Sequence, residues 1–206
     1  EAVAIARLFK AAAADLLWSR VIKEFPDLRI ALSEGGTGWI PYFLERVDRT
    51  YDMHHGWTGQ DFGGRLPSEV FREHFLTCFI SDPVGVAMRD RIGIDNIAWE
   101  CDYPHTDTTW PESPEQAWGE LQESGCSDEE IHKITWQNAC RFFDWDPFKH
   151  IARDQATVGA LRALATAGRG REDIARAGAA GDGRDHPGVD AEAAEQALHA
   201  HVRRSQ

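Results

Sequence analysis

Apolar residues recur at Val3, Leu8, Ala12, Leu16, Leu17, Val21 and Ile22, with Arg7, Lys10, Asp15, Arg20 and Lys23 between them. That spacing predicts an amphipathic helix over residues 3–24, ended by Pro26-Asp27. Leu28–Leu32 then reads as a short strand that closes in the turn Ser33-Glu34-Gly35-Gly36. Trp39–Tyr51 is helical again, with Ile40, Phe43, Leu44 and Val47 on one face and Glu45, Arg46, Asp48 and Arg49 on another. His54–Pro67 is polar, Gly-rich and irregular, long enough for a lid or a subunit contact. Phe75–Ile80 is a second strand. Asp82-Pro83 opens a helix that runs to Ile92, with proline near its start, and Gly93 ends it. Ile97-Ala98-Trp99 is a short apolar run of buried-strand type. A helix through Pro114–Leu121 follows. The last one is capped by Ser127 with Glu130 three residues on, a capping box. Its expected buried side carries Ile131, Ile134, Thr135, Ala139, Phe142 and Phe143.

Helix and strand therefore alternate, and each strand leads through polar residues into a helix. Such alternation predicts parallel strands joined by crossover helices, an α/β fold.

The chain has 206 residues and a formal net charge of −12. Residues 151–206 hold 8 Arg against 5 Asp and 3 Glu, so the whole negative balance lies in residues 1–150. An acidic body argues against nucleic acid or an anionic membrane as partner. The 4 cysteines form no CxxC pair, which favours a reduced, cytoplasmic protein. No apolar run approaches the roughly 18 residues that span a bilayer. Residues 151–206 contain no Trp, Tyr, Phe or Cys and are rich in Ala, Gly and Arg. They read as a flexible tail beside a domain over 1–150. Helices are expected at 155–165 and 191–202, and residues 175–188 have too little apolar surface to offset ordering.

Candidate chemistry gathers at Asn96–His105, where Glu100, Asp102 and His105 follow the apolar run closely. Strand C-termini are where α/β proteins place ionisable groups for catalysis. Asp102 fits a metal ligand or proton acceptor, and equally a turn cap. His105 is a substrate contact or an ordinary loop histidine. His54-His55 suits a helix C-terminus. His74 is expected to be exposed and His132 solvated. Trp39, Trp99 and Trp136 read as core. Trp57 and Trp110, in loops, are candidates for a substrate pocket or a subunit interface.

Three stretches together resemble the amidohydrolase-related proteins of the aminocarboxymuconate-semialdehyde decarboxylase type. They are Ser33-Glu34-Gly35-Gly36-Thr37-Gly38-Trp39-Ile40-Pro41, Trp99-Glu100-Cys101-Asp102-Tyr103-Pro104-His105, and Ile134-Thr135-Trp136-Gln137-Asn138-Ala139-Cys140-Arg141-Phe142-Phe143. The resemblance covers residues 11–165. It implies the C-terminal part of a (β/α)8 TIM barrel, with the three strands as its sixth, seventh and eighth, and an active site at their C-terminal ends, where Glu34, Asp82 and Asp102 fall. It further implies a divalent metal, Zn in the first instance, with Asp102 as ligand and as handler of the proton of a metal-bound water. The family's His-x-His ligands on the first strand, and a further histidine on the fifth, would precede Glu1. Glu34 stands where many relatives carry histidine, and fits a substitute ligand, a general base or a substrate contact.

The expected function is that of a fragment of a metal-dependent hydrolase or non-oxidative decarboxylase acting on a small carboxylated or cyclic molecule. Catalysis falls to Asp102 and Glu34, substrate contact to His105 and Trp57, and the intact parent is a homo-oligomer. The alternative is a catalytically incomplete piece with only structural or oligomer-contact capacity. A nucleotide-binding reading is weak, because Ser33–Gly38 lacks the Lys-Ser/Thr of a phosphate loop.

Overall fold

The computed structural model describes residues 2–166. The chain divides into two units, Glu1–Asp146 and Pro147–Gln206. In the first, α1 (Ala2–Trp18) and α2 (Val21–Glu24) precede β1 (Ile30–Leu32). Next come α3 (Ile40–Thr58), α4 (Pro67–His74) and β2 (Phe75–Phe79). Then α5 (Pro83–Ala87) and α6 (Arg89–Ile92) lead to β3 (Ile97–Trp99). The unit closes with α7 (Ser113–Glu123), α8 (Asp128–His132), a π-helical segment (Lys133–Gln137) and α9 (Asn138–Phe142). The second unit carries α10 (Val158–Thr166), inside which the helix expected at 155–165 mostly falls; the stretches 175–188 and 191–202 lie outside the described residues.

The strands form a parallel sheet in the order β1-β2-β3, as the alternation predicts. Thr77 pairs with Leu32 on one side and Ile97 on the other. Every residue of β2 is buried, as befits a central strand in a parallel sheet. Leu32, Phe75, Phe79 and Ile97 pack with Leu17, Ile40, Leu44, Phe71, Ile92, Leu121 and Ile134 in the main core. Leu76, Cys78 and Ala98 form a smaller cluster against Phe142. Phe71 stacks on Phe75 at 4.4 Å, carrying α4 directly into β2.

Two buried amides fix the strand starts. Asn96 Nδ2 donates to the carbonyls of Arg72 and Phe75. Asn138 Nδ2 donates to those of Ile94 and Ile97, both at 2.8 Å. Asn138 thus buttresses β3.

Several expectations need correction. The first helix breaks at Ser19, whose hydroxyl donates to the Leu16 carbonyl and accepts from the Val21 amide, competing with the helical pattern. α3 runs past Tyr51 to Thr58, so only residues 59–66 remain irregular before α4. Side-chain pairs three and four residues apart carry the extension: Trp57 Nε1 donates to His54 Nδ1, and Tyr51 packs on His55. Gly59 ends it at φ +67°, a left-handed conformation that glycine adopts without penalty. The helix from Asp82 is two short pieces that meet at Met88. His74 is 4% exposed, because its Nδ1 donates to the Leu28 carbonyl at 2.8 Å. Phe143 is 63% exposed rather than packed, since the π-helical turn shifts the helical phase beyond Ile134.

Candidate active site at the strand ends

The residue after Ser33 leaves β1 in a left-handed conformation, with Glu34 at φ +62°. Its amide donates to Glu100 Oε1 at 2.5 Å. Glu100 is still in register with the sheet, its own amide donating to the Phe79 carbonyl at 2.9 Å. Two residues on, Asp102 also turns left-handed, at φ +53°. The His105 amide then donates to the Asp102 carbonyl, and His105 Nδ1 donates to Asp102 Oδ1 at 2.7 Å. This loop carries cis peptide bonds at Tyr103–Pro104 and Trp110–Pro111.

Glu34, Asp102 and His105 consequently bring one ligand atom each to within 4.8 Å of one another. Non-glycine residues at positive φ among the described residues are Glu34, Asp102 and Asp144, so two of the three belong to this cluster. Such conformations cost on the order of 1–3 kcal/mol and persist where the surroundings impose them, a pattern common at functional sites. Two carboxylates and an imidazole make a donor set that divalent cations of the Zn²⁺ and Mn²⁺ type accept, so the residues present fit such an ion.

The electrostatics follow from the geometry. The Asp102 carboxylate raises the His105 imidazole, first through the hydrogen bond and then through charge. Burial pushes the Glu100 carboxyl upward, the donated Glu34 amide opposes this, and the nearby charges of Glu34 and Asp102 add to the rise. Ser113 and Thr108 lower the Cys101 thiol by hydrogen bonding. Cys78, buried beneath the site, is pushed up to about 12 and is inert as a nucleophile.

A second layer holds the β1 turn. Asp82 Oδ2 accepts from the amides of Thr37 and Gly38 at 2.6 and 2.7 Å, and from Thr37 Oγ1 at 3.2 Å. Its Oδ1 accepts from the Gly85 amide at 2.9 Å, capping α5. Glu120 on α7 accepts from the Asp82 amide and from Ser81 Oγ. Trp39 Nε1 donates to the carbonyls of Gly35 and Gly36.

Glu34, Asp102 and His105 are thus brought together as the sequence suggests. Trp57 is not. It sits on the last turn of α3, 76% exposed and bonded to His54, about 26 Å along the helix from Ile40 at 1.5 Å per residue. The sequence placed Trp57 in a loop; the longer helix carries it away from the strand ends. Trp110 lies on the loop that follows β3, with its ring 5.5 Å from that of Tyr103. Asp82 falls at a strand end as expected, but its carboxylate is engaged by the backbone amides of Thr37, Gly38 and Gly85 and by the Thr37 hydroxyl. Sequence reasoning missed the Glu100–Glu34 contact and the reach of Asp82 to Thr37. Asp82-Pro83 signals a helix cap, and nothing in it signals a partner 45 positions upstream.

Among the described residues, no helix is long and apolar enough to cross a membrane. A family described as amidohydrolase matches residues 4–145. Solved structures with the same fold include 5-carboxyvanillate decarboxylase from Sphingomonas paucimobilis, 21% identical with a TM-score of 0.52. An amidohydrolase from Mycobacterium avium subsp. paratuberculosis K-10 is 22% identical with a TM-score of 0.56. Each likeness covers 66% of this chain, and respectively 39% and 33% of the solved chain. This chain therefore spans about two fifths or less of the length of those structures. No curated protein matches it.

Proposed function

The chain belongs to the amidohydrolase family, and on that premise we propose that it carries the strand-end acid–base residues of a metal-dependent hydrolase or non-oxidative decarboxylase. In this reading β1, β2 and β3 are the sixth, seventh and eighth strands of a (β/α)8 barrel whose other strands complete the site. The observation that carries the proposal is the convergence of Glu34, Asp102 and His105 on one point at the strand ends.

Glu34, Asp102 and His105 would hold a divalent cation, Zn²⁺ first among the choices. A cation there supplies Lewis-acid polarisation of a carbonyl or carboxylate. The remaining work belongs to the side chains. Asp102 Oδ1 holds the His105 Nδ1 proton, and that bond fixes the imidazole tautomer and orientation. Asp102 is the proton acceptor and donor, while Glu34 offers a second carboxylate for cation or substrate. Exposed Tyr103, next in sequence to Asp102, pairs with exposed Trp110 at 5.5 Å between ring centroids, an aromatic pair that suits a cyclic, carboxylated substrate.

The test is a Zn²⁺ and Mn²⁺ titration of residues 1–206, without turnover as a readout. We expect weak binding, because two of the three donors, Glu34 and His105, are solvent-exposed and stay hydrated until an ion displaces their water. Glu34→Gln or Asp102→Asn should weaken it further by about tenfold or more, each removing one anionic donor. Isotherms that match the wild type in both variants would refute the assignment. Tight, stoichiometric zinc after dialysis would overturn the expectation of weak binding.

A second reading gives the chain only structural or oligomer-contact capacity; the left-handed turns at Glu34 and Asp102 and the Asp102–His105 bond would then serve to shape the loops after the strands. Undetectable cation binding by the wild type would favour it.

A further inference from the structure

The carboxylate of Asp82 is divided between two tasks. Oδ1 caps α5 through the Gly85 amide, which is all an N-cap requires. Oδ2 takes three donors from the turn after β1, at Thr37 N, Gly38 N and Thr37 Oγ1. The backbone that carries Asp82 is itself tied down, since Glu120 receives the Asp82 amide at 2.8 Å and the Ser81 hydroxyl at 2.6 Å. Gly85 permits the approach: a Cβ there would stand 1.9 Å from Thr37 Oγ1 and 2.9 Å from the Gly38 amide. The turn so gripped begins three residues after Glu34, whose left-handed backbone is fixed on its other side by Glu100. A helix cap alone gives no reason for Oδ2 to be saturated by a distant segment.

We propose that Asp82 is a positioning residue for the Glu34 carboxylate: by gripping Thr37 and Gly38 it sets where Glu34 stands relative to Asp102 and His105. Asp82 does not touch the cation or substrate. Its influence travels through the Glu34–Gly38 backbone, and Glu120 reinforces it from α7. This rests on the reading of Glu34, Asp102 and His105 as cation ligands. Groups that orient metal ligands from behind usually change affinity about 10- to 100-fold when lost.

Asp82→Ser separates the two tasks. Serine is a good N-cap, so α5 keeps its cap, but its short side chain does not reach Thr37 and Gly38. The whole chain is titrated with Zn²⁺ and with Mn²⁺, and amide hydrogen exchange is followed at Thr37 and Gly38. Glu130→Gln, which weakens a clamp on α6 and α8 instead, controls for general loss of stability. The expected result is a roughly tenfold or larger fall in cation affinity for Asp82→Ser, with faster exchange at both amides and neither change in Glu130→Gln. Glu120→Gln, a milder lesion, should shift both readouts the same way by less, and serves if Asp82→Ser fails to fold. Retained protection at Thr37 and Gly38 would overturn the proposal, because the turn would be held without Asp82. Faster exchange with unchanged affinity would also overturn it. If the wild type binds neither cation, the ligand reading fails, and the backbone of Glu34 decides the positioning role. Its HN–Hα coupling and Cα shift should then leave left-handed values in Asp82→Ser, and their persistence would refute the role.

Discussion

Glu130 is the acid whose removal the structure makes easiest to quantify. It completes the capping box of α8, where its Oε2 accepts the Ser127 amide at 2.8 Å and its own amide reaches Ser127 Oγ at 3.3 Å. It also pairs with Arg89, whose Nε lies 2.7 Å from Oε1. Arg89 in turn donates to the carbonyls of Val86, Ser124 and Gly125, so this pair fastens α6 to the turn between α7 and α8. The hydrogen bond from Arg89, with the Ser127 amide next, holds the Glu130 carboxyl well below its ordinary 4.5, at about 2. The folded state therefore binds this proton less readily than the unfolded chain. Its contribution is complete above pH 4.5 and is lost as pH falls toward 2. Taken whole, that difference is worth at most about 3.4 kcal/mol. Glu130 keeps 24% of its side chain exposed, so solvent screening brings the figure to about 1–2 kcal/mol. Urea unfolding of wild type and Glu130→Gln at pH 7, 5 and 3 measures it. The variant should be less stable by about 1–2 kcal/mol at pH 7 and converge on the wild type as pH falls. A stability gap that stays constant across this range would mean that shape, not charge, accounts for the loss.

Gly85→Ala should cost about 3 kcal/mol or more, because its Cβ would collide with Thr37 Oγ1; a melting temperature within a degree of wild type would refute the close approach. In a full-length enzyme carrying this segment, Asp102→Asn should lower kcat by about 10² or more with folding retained. Glu100→Gln should cost much less, since Glu100 serves the Glu34 backbone; equal, mild losses in both would make Asp102 a turn residue. β1 and β3 each have one neighbour in the described sheet, and the open edges should drive residues 1–206 to associate. A monodisperse monomer by light scattering, with a cooperative melt, would count against this.

Much of the fold is legible without coordinates. Apolar periodicity finds β1, β2 and β3 to within a residue or two, because short apolar runs between turn residues have few alternatives in an alternating chain. Ser127 and Glu130 announce their capping box, since a cap is a local pattern of side chain and backbone. Asp102 and His105 were also candidates from their place at a strand end, and Glu34 from the family resemblance. Less visible are the features that depend on distant partners. α4 escaped notice because its few apolar positions gain their meaning only against α3 and β2. His74 looked exposed until the Leu28 carbonyl, 46 positions away, received its ring.

The amino-acid order by itself determined an α/β alternation, the strand ends and the residue types that gather there. Those follow from period, punctuation and chemistry within short windows. Only the tertiary structure decided which of these groups meet. The parallel register places Glu100 under the Glu34 amide, 66 positions upstream, and the β2–α5 junction brings Asp82 to Thr37. It also decided that Trp57 stands apart, because α3 runs seven residues past Tyr51, its expected end, and carries the ring along the helix, away from the strand ends. Meetings of this kind are set by the packing of whole elements, and no local window of residues encodes them.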